Sequence, residues 1–278
     1  MMYFIKQPRG GNSKIMIDEN LGKEIQEWMK KEVDKRDAEG VVVGLSGGID
    51  SSLVAALCKE AFGDNLLGVL LPASGTVSKD IKYANKLAEE FDIETMTVNL
   101  EEVNNKIEET FHQIEINKAE REYCPQSKIP SSDPAEQNIQ TRLRMLTLYY
   151  IAEKLNYVVM GTSNKSEILS GYYTLHGDEA TDMRPLGDLT KTKVWKLSKQ
   201  MEVPKEIINR EPSGGLIGSD NDRDEKDLGI DYLTFDKIYE ALENDKDLSK
   251  FDEDDVARTK ELIEAAQDKE KTPTFQLN

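Results

Sequence analysis

Cysteine, histidine and basic charge are all in short supply in this chain, and each scarcity excludes something. Two cysteines and two histidines in 278 residues leave little room for a metal site built from soft ligands. Cys58 falls within an apolar helical run and reads as a small core residue. Cys124 precedes Pro125 in a loop with no histidine near it in sequence. No disulfide framework can be drawn from the two, which suits a reducing cytoplasm. Lys and Arg number 36 against 53 Asp and Glu, a net charge of −17, so an extended polyanion such as nucleic acid is excluded as a partner. No apolar run approaches membrane-spanning length, and Met1–Gly11 lacks the core of a signal peptide. Internal repeats are also missing. The chain is expected to be a single cytoplasmic domain over residues 1–278, long enough to bury a proper core, with no membrane partner.

The most informative stretch is Val41-Val42-Val43-Gly44-Leu45-Ser46-Gly47-Gly48-Ile49-Asp50-Ser51-Ser52. An apolar β-forming run enters a turn of small residues, and the turn opens onto Leu53–Leu57, an Ala-containing helical run. Buried strand, tight turn and helix N-terminus make an anion site, because the first backbone amides of the helix point outward unpaired. Gly47 and Gly48 let the backbone approach phosphate oxygens, and Ser46, Ser51 and Ser52 add hydroxyl donors. Asp50 repels phosphate unless a cation lies between, and magnesium favours one or two carboxylates plus phosphate oxygens. A Walker A loop is excluded, since neither Gly-Lys-Ser nor Gly-Lys-Thr occurs. The dinucleotide fingerprint Gly-x-Gly-x-x-Gly is not supplied by this turn either. The segment resembles the pyrophosphate loop of the ATP pyrophosphatases, which cleave ATP between its α and β phosphates.

Around this loop the chain alternates strand and helix. Residues 1–13 read as a loose arm. Leu21, Ile25, Trp28, Met29 and Val33 recur at helical spacing. Strands are expected at Val41–Leu45, Leu66–Leu71, Ile93–Val98 and Tyr157–Met160. Helices are expected with Ile81, Ala84, Leu87, Ala88 and Phe91 on one face, and over Glu101–Asn117, Ala135–Leu155, Thr192–Met201, Thr234–Leu242 and Asp254–Ala266. A short helix starts at Pro204. Continuous apolar strands alternating with helices imply an α/β fold, an open parallel sheet covered by helices on both faces. Gly161–Glu167 is a second concentration of small polar residues at a strand's carboxyl end, so the two loops are expected to share one site. Residues 209–227 have no hydrophobic periodicity and read as a mobile lid.

Taken together, the motifs resemble those of ammonia-dependent NAD synthetase, a family within the pyrophosphate-loop superfamily. The likeness rests on Gly44–Ser51, Asn138–Met145, Gly161–Glu167, Gly177-Asp178, Leu189–Thr192, Glu211-Pro212-Ser213 and Asp227–Ile230, in the family's order over residues 20 to 245. The resemblance implies a Rossmann-like, adenine nucleotide alpha hydrolase-like sheet. It implies that ATP adenylates a carboxylate, in the family that of deamido-NAD, and that ammonia then displaces AMP. With no glutaminase domain ahead of these motifs, free ammonia is the expected nitrogen source. By the same resemblance Gly44, Leu45, Ser46, Gly47, Gly48, Ile49, Asp50 and Ser51 bind ATP together with Thr162, Lys191 and Ser213. Asp50 and Glu167 hold magnesium, and Asp50, Glu167 and Lys191 carry the catalysis. Arg142, Asp178 and Asp182 face the acceptor, and a homodimer is implied.

Each of these residues also has an ordinary structural reading. Glu167 can cap a helix with Asn164, Asp178 and Asp182 can form turns, and Arg142 can be a solvated charge. Lys191 near a helix start opposes the macrodipole and calls for an anion close by. His176 reads as a surface or packing residue. Three departures from the family's pattern lie on the acceptor side. Leu175 stands where the family has Lys, Glu179 and Ala180 follow Asp178 where it has two glycines, and Lys269 and Lys271 are the nearest match to its C-terminal His-Lys pair.

Overall fold

The computed structural model describes residues 18–73, 76–111, 134–210 and 224–270. Four strands form one all-parallel sheet in the order β3-β2-β1-β4, where β1 is Gly40–Gly44, β2 Leu66–Leu70, β3 Glu94–Thr97 and β4 Tyr157–Met160. Helices α1 (Leu21–Asp34), α2 (Ile49–Phe62), α3 (Ser78–Glu90), α4 (Glu101–Phe111) and α5 (Pro134–Leu155) alternate with them. The α/β reading and all four strands are therefore borne out.

The run Val41-Val42-Val43 shows why β1 is central. Side chains alternate across a strand, so Val41 and Val43 enter one core with Met29, Leu53, Leu57 and Leu197. Val42 enters the opposite core with Leu67, Val69, Ile151, Ala152 and Val159. Both faces are thereby covered. Leu53 and Leu57 are fully buried, so truncating either to Ala would cost about 2–5 kcal/mol. Two expectations are corrected here. All four residues of β3 are exposed, so this edge strand is not the continuous apolar strand that alternation suggests. Trp28, placed on the apolar stripe of α1, is 41% exposed, while Ile25, Met29 and Val33 are buried. The apolar half of α5 divides: Ile151 and Ala152 are buried, whereas Leu146 and Tyr150 face outward.

The second half of the chain adds α6 (Lys165–Ser170), α7 (Lys191–Gln200), α8 (Lys205–Ile208), α9 (Asp224–Leu228), α10 (Tyr232–Glu243) and α11 (Glu253–Glu270). α6 and α9 are absent from the sequence reading. α9 takes in residues 224–227, the end of the stretch read as a lid. Helices α9, α10 and α11 share a third apolar cluster built on Leu228, Tyr232, Phe235, Ile238 and Leu262. The N-terminal arm, residues 112–133 with Cys124, residues 211–223 with Ser213, and Lys271 lie outside the described residues. No helix among the described residues is long and apolar enough to cross a membrane.

Candidate active site

The strand order fixes where a site can form. The chain winds outward from β1 to β2 and β3, then returns to lay β4 on the other side of β1. At such a reversal the loops leaving the two central strands diverge and open a crevice at their carboxyl ends. The loop after β1 leads into α2, and the loop after β4 leads into α6.

Between β1 and α2 the serines tie the loop to itself. Ser46 Oγ and Ser51 Oγ are 2.9 Å apart, and the Gly48 amide donates to Ser46 Oγ at 3.2 Å. Ser51 and Ser52 hydroxyls donate to the Gly48 carbonyl at 3.1 and 2.8 Å. Gly47 has φ 75°, and a Cβ there would stand 2.4 Å from the carbonyl oxygen of Asp80, so only glycine fits. Gly44 closes β1 and Gly48 is the N-cap of α2. Leu45 and Ile49, expected at ATP, have buried side chains in the core, and the Leu45 amide donates to Val69. What these two offer a ligand is backbone position.

Asp50, in the first turn of α2, meets Glu167 of α6 and Lys191 of α7 at one point. Lys191 Nζ lies 2.6 Å from Asp50 Oδ2 and 3.1 Å from Glu167 Oε1, with the lysine 2% exposed. Asn164 Nδ2 donates to the other Asp50 oxygen at 2.9 Å. The Asn164–Glu167 capping box also forms: the Glu167 amide donates to Asn164 Oδ1, and the Asn164 amide donates to Glu167 Oε2, both at 3.1 Å. Glu167 thus caps α6 with one oxygen and meets Lys191 with the other, so its two readings are compatible. The anion that Lys191 calls for at the start of α7 is this carboxylate pair. Nζ also lies 5.2 Å from the centroid of the Tyr232 ring.

Burial raises the Glu167 carboxyl above the usual carboxylate range; Lys191 opposes that shift and Asp50 adds to it. Burial also works against the Lys191 charge, yet Asp50 and Glu167 outweigh it and hold the ammonium well above the ordinary lysine range. With Glu167 protonated the trio is neutral, and loss of that proton leaves one negative charge over. Among the described residues no group of three or more His, Cys, Asp or Glu side chains is arranged to hold a metal alone. A pair of carboxylates already bridged by a cationic nitrogen fits magnesium that takes its remaining ligands from phosphate oxygens and water.

Residues singled out for the acceptor lie on a more open wall. Arg142 is exposed, and its Nη2 donates to the Leu175 carbonyl at 3.2 Å. Asp178 accepts from the Thr174 amide at 2.8 Å, the turn-forming bond expected of it. Asp182 accepts from the Val159 amide at 2.8 Å and from the Tyr149 hydroxyl at 3.4 Å, which ties it to the edge of β4. Thr162 is half-buried, two residues beyond β4. Glu179 is paired with Arg184. Lys269 reaches back from α11 to donate to the carbonyls of Gly171, at 2.7 Å, and Tyr173, with its ammonium 4.3 Å from the Tyr173 ring centroid.

Sequence reading missed several contributors. Arg210 lies 2.7 Å from Asp80 Oδ1, and its Nη1 reaches the Gly47 carbonyl at 3.5 Å, beside the serine-tied loop. Its only signal was a lone arginine at the edge of a glycine-dotted stretch. Asn164 was noticed only as a cap, and Tyr232 and Asp236 not at all. A tyrosine and a carboxylate on the buried face of an amphipathic helix were the available sign.

Comparison with known proteins gives a consistent result. The family model of NAD synthase matches residues 21–273. An NH(3)-dependent NAD(+) synthetase of Methanocaldococcus jannaschii is 41% identical, over 82% of this chain and 83% of that protein. Its counterpart in Finegoldia magna is 38% identical, over 78% of this chain and 82% of that one. Among solved structures, NMN synthetase from Francisella tularensis superposes with a TM-score of 0.79 at 27% identity, covering 94% of this chain and 99% of its own. NH3-dependent NAD synthetase from Campylobacter jejuni gives 0.74 at 26% identity, covering 94% and 100%. With its parallel sheet, serine-tied loop and carboxylate-bound lysine, the chain belongs to the NAD synthase family.

Proposed function

We propose that this chain is a cytoplasmic, ammonia-dependent NAD synthetase that adenylates deamido-NAD and then amidates it. One observation carries the reading: Lys191 is held between Asp50 and Glu167 directly beside the turn that opens α2. Fixed positive charge and two carboxylates beside a helix N-terminus support a site for a triphosphate there.

In the first step an oxygen of the nicotinate carboxylate forms a bond to the α phosphorus of ATP. The bond from that phosphorus to the bridging oxygen breaks, and pyrophosphate leaves with the electron pair. In the second step ammonia attacks the acyl carbon, the C–O bond to AMP breaks, and the nitrogen loses a proton to give the amide. Adenylation is required because a carboxylate and ammonia otherwise only form a salt. Amides of residues 46–51 and the hydroxyls of Ser46 and Ser51 receive the pyrophosphate, and Lys191 balances its developing charge. Asp50 and Glu167 would hold magnesium, which when bound neutralises phosphate oxygens. Thr162 and Ser213 contact ATP. Arg142 and Asp178 flank the acceptor, with Asp182 fixing the wall beside them. The outward Leu146 and Tyr150 of α5 supply an apolar face for a homodimer.

The test is release of pyrophosphate from ATP with ammonium and either deamido-NAD or nicotinate mononucleotide. Turnover with deamido-NAD at a KM in the roughly micromolar to millimolar range is expected. Leu175 in place of the family's lysine, together with the structural likeness to NMN synthetase, makes the mononucleotide the second acid to try. Pyrophosphate release with that acid alone would replace the acceptor, and none with either would end the reading.

A further inference from the structure

The catalytic trio is supplied by three helices, and none of its members is close to another in sequence. Something must hold α6 and α7 in register, because Glu167 and Lys191 meet only if the starts of both helices stay fixed. A buried carboxylate on α10 touches both. Asp236, on α10, is 1% exposed and accepts from the Ser166 hydroxyl at 2.5 Å through Oδ1. Through Oδ2 it accepts from the Thr192 amide at 2.8 Å and the Thr192 hydroxyl at 2.7 Å. Ser166 Oγ in turn accepts from the Lys191 amide at 2.8 Å. A single buried carboxylate thus binds the residue before Glu167 and the residue after Lys191, and its serine partner binds the lysine's own backbone.

We infer that Asp236 is a positioning residue for adenylation, fixing the backbone of Ser166 and of Lys191–Thr192 so that the Lys191 ammonium stands between Asp50 and Glu167. It touches neither substrate nor reacting atoms, and it goes beyond the proposed function while resting on it. The chemistry favours a carboxylate here over any neutral side chain. The Thr192 amide and the hydroxyls of Ser166 and Thr192 converge on it, an anion at the start of the ten-residue α7 is favoured by the helix dipole, and the ionised form offers two acceptor oxygens. Asp236 and Ser166 between them occupy the first two amides of α7, those of Thr192 and Lys191. Phosphate therefore falls to the α2 loop and to the Lys191 side chain. Asparagine can preserve part of the arrangement, with its oxygen toward Thr192 and its NH2 donating to Ser166 Oγ, whereas alanine leaves the donors without an acceptor.

Two measurements test this. In steady-state kinetics with ATP, ammonium and deamido-NAD, Asp236→Ala is expected to lower kcat about 100-fold, as sub-ångström to ångström misplacement does. The KM for deamido-NAD should stay within about 2-fold of the parent, and Asp236→Asn should regain about 10-fold of the lost rate. Retention of more than a third of kcat by Asp236→Ala, or a rise in acceptor KM matching the fall in kcat, overturns the inference. A crystal structure of Asp236→Ala or Asp236→Val, whichever folds, tests the placement without turnover. Lys191 Nζ withdrawn from Glu167 beyond about 3.5 Å supports the inference, and Nζ still hydrogen-bonded to both carboxylates overturns it. If the parent protein fails to use deamido-NAD, the function reading falls while the structural arm still judges Asp236.

Discussion

The two sides of this site are built differently. On the proposed nucleotide side the charged groups are cross-linked across buried elements: Asp50 to Asn164 and Lys191, Glu167 to Lys191, Ser166 to Asp236. On the proposed acceptor side the residues are exposed or half-buried and are held by the Arg142–Leu175 and Thr174–Asp178 bonds to backbone, by the Glu179–Arg184 pair, and by Lys269 reaching in from α11. The difference teaches where variation is tolerated. A buried network fails as a unit when one member changes, so the chemistry there is fixed. A solvated wall can exchange Lys for Leu175 or Gly for Glu179 at small cost to the fold. All three departures from the family's pattern fall on that wall.

Four experiments would break or sharpen this contrast. The largest effect is expected from Lys191→Met, which leaves Asp50 and Glu167 facing each other without a cation. Turnover should fall about 1,000-fold. Denaturant titration should show a loss of about 3–5 kcal/mol, and a stable variant with parental kcat would mean that the nucleotide side is not a unit. Gly47→Ala comes next. A Cβ against the Asp80 carbonyl at φ 75° should lower kcat/KM for ATP about 100-fold and destabilise the protein by about 2–3 kcal/mol. Unchanged ATP kinetics would show that the loop does not need its present path. On the opposite wall, Lys269→Gln should raise the acceptor KM about 10-fold and leave the KM for ATP alone. Equal changes in both would erase the distinction between the sides.

The smallest effect is a pH dependence. Because burial, aided by Asp50, raises Glu167, it holds a proton above the usual carboxylate range, and magnesium binding must displace that proton. The stabilisation given by ATP with magnesium, followed by Tm, should grow with pH, by up to about 1.4 kcal/mol per pH unit, and level off above the raised pKa. For the ligand-free protein the sign is opposite. The stability contributed by neutral Glu167 is full below the ordinary glutamate pKa and is lost as pH rises through the raised one. A stabilisation by ATP with magnesium that does not vary with pH would mean that Glu167 is not a ligand.

The fold was readable because its signals are local. Val41–Val43 leading into Gly47-Gly48 states strand, turn and helix within twelve residues, whereas Asp50, Glu167 and Lys191 were singled out by resemblance to the family's motifs. The exposure of β3 was not readable, since Ile93 and Val98 at its ends resemble a buried strand and only sheet order shows which strand is last. Nor was Asp236, whose partners lie 70 and 44 residues away and leave no periodic trace. Glu179 reads as an unhelpful negative charge in sequence, but the fold brings Arg184 to meet it. That pair is local, but Arg142 with Leu175 and Lys269 with Gly171 lie 33 and 98 residues apart and left no sign in the sequence.

The tight hold on Lys191 has a further chemical meaning in the proposed reaction. An acyl-adenylate is a mixed anhydride and acylates any free amine within reach, the protein's own included. Asp50 and Glu167 keep that nitrogen protonated, with its lone pair engaged, throughout the neutral range. The enzyme thus keeps a primary amine beside its own activated intermediate and still leaves ammonia as the only nucleophile with electrons to give.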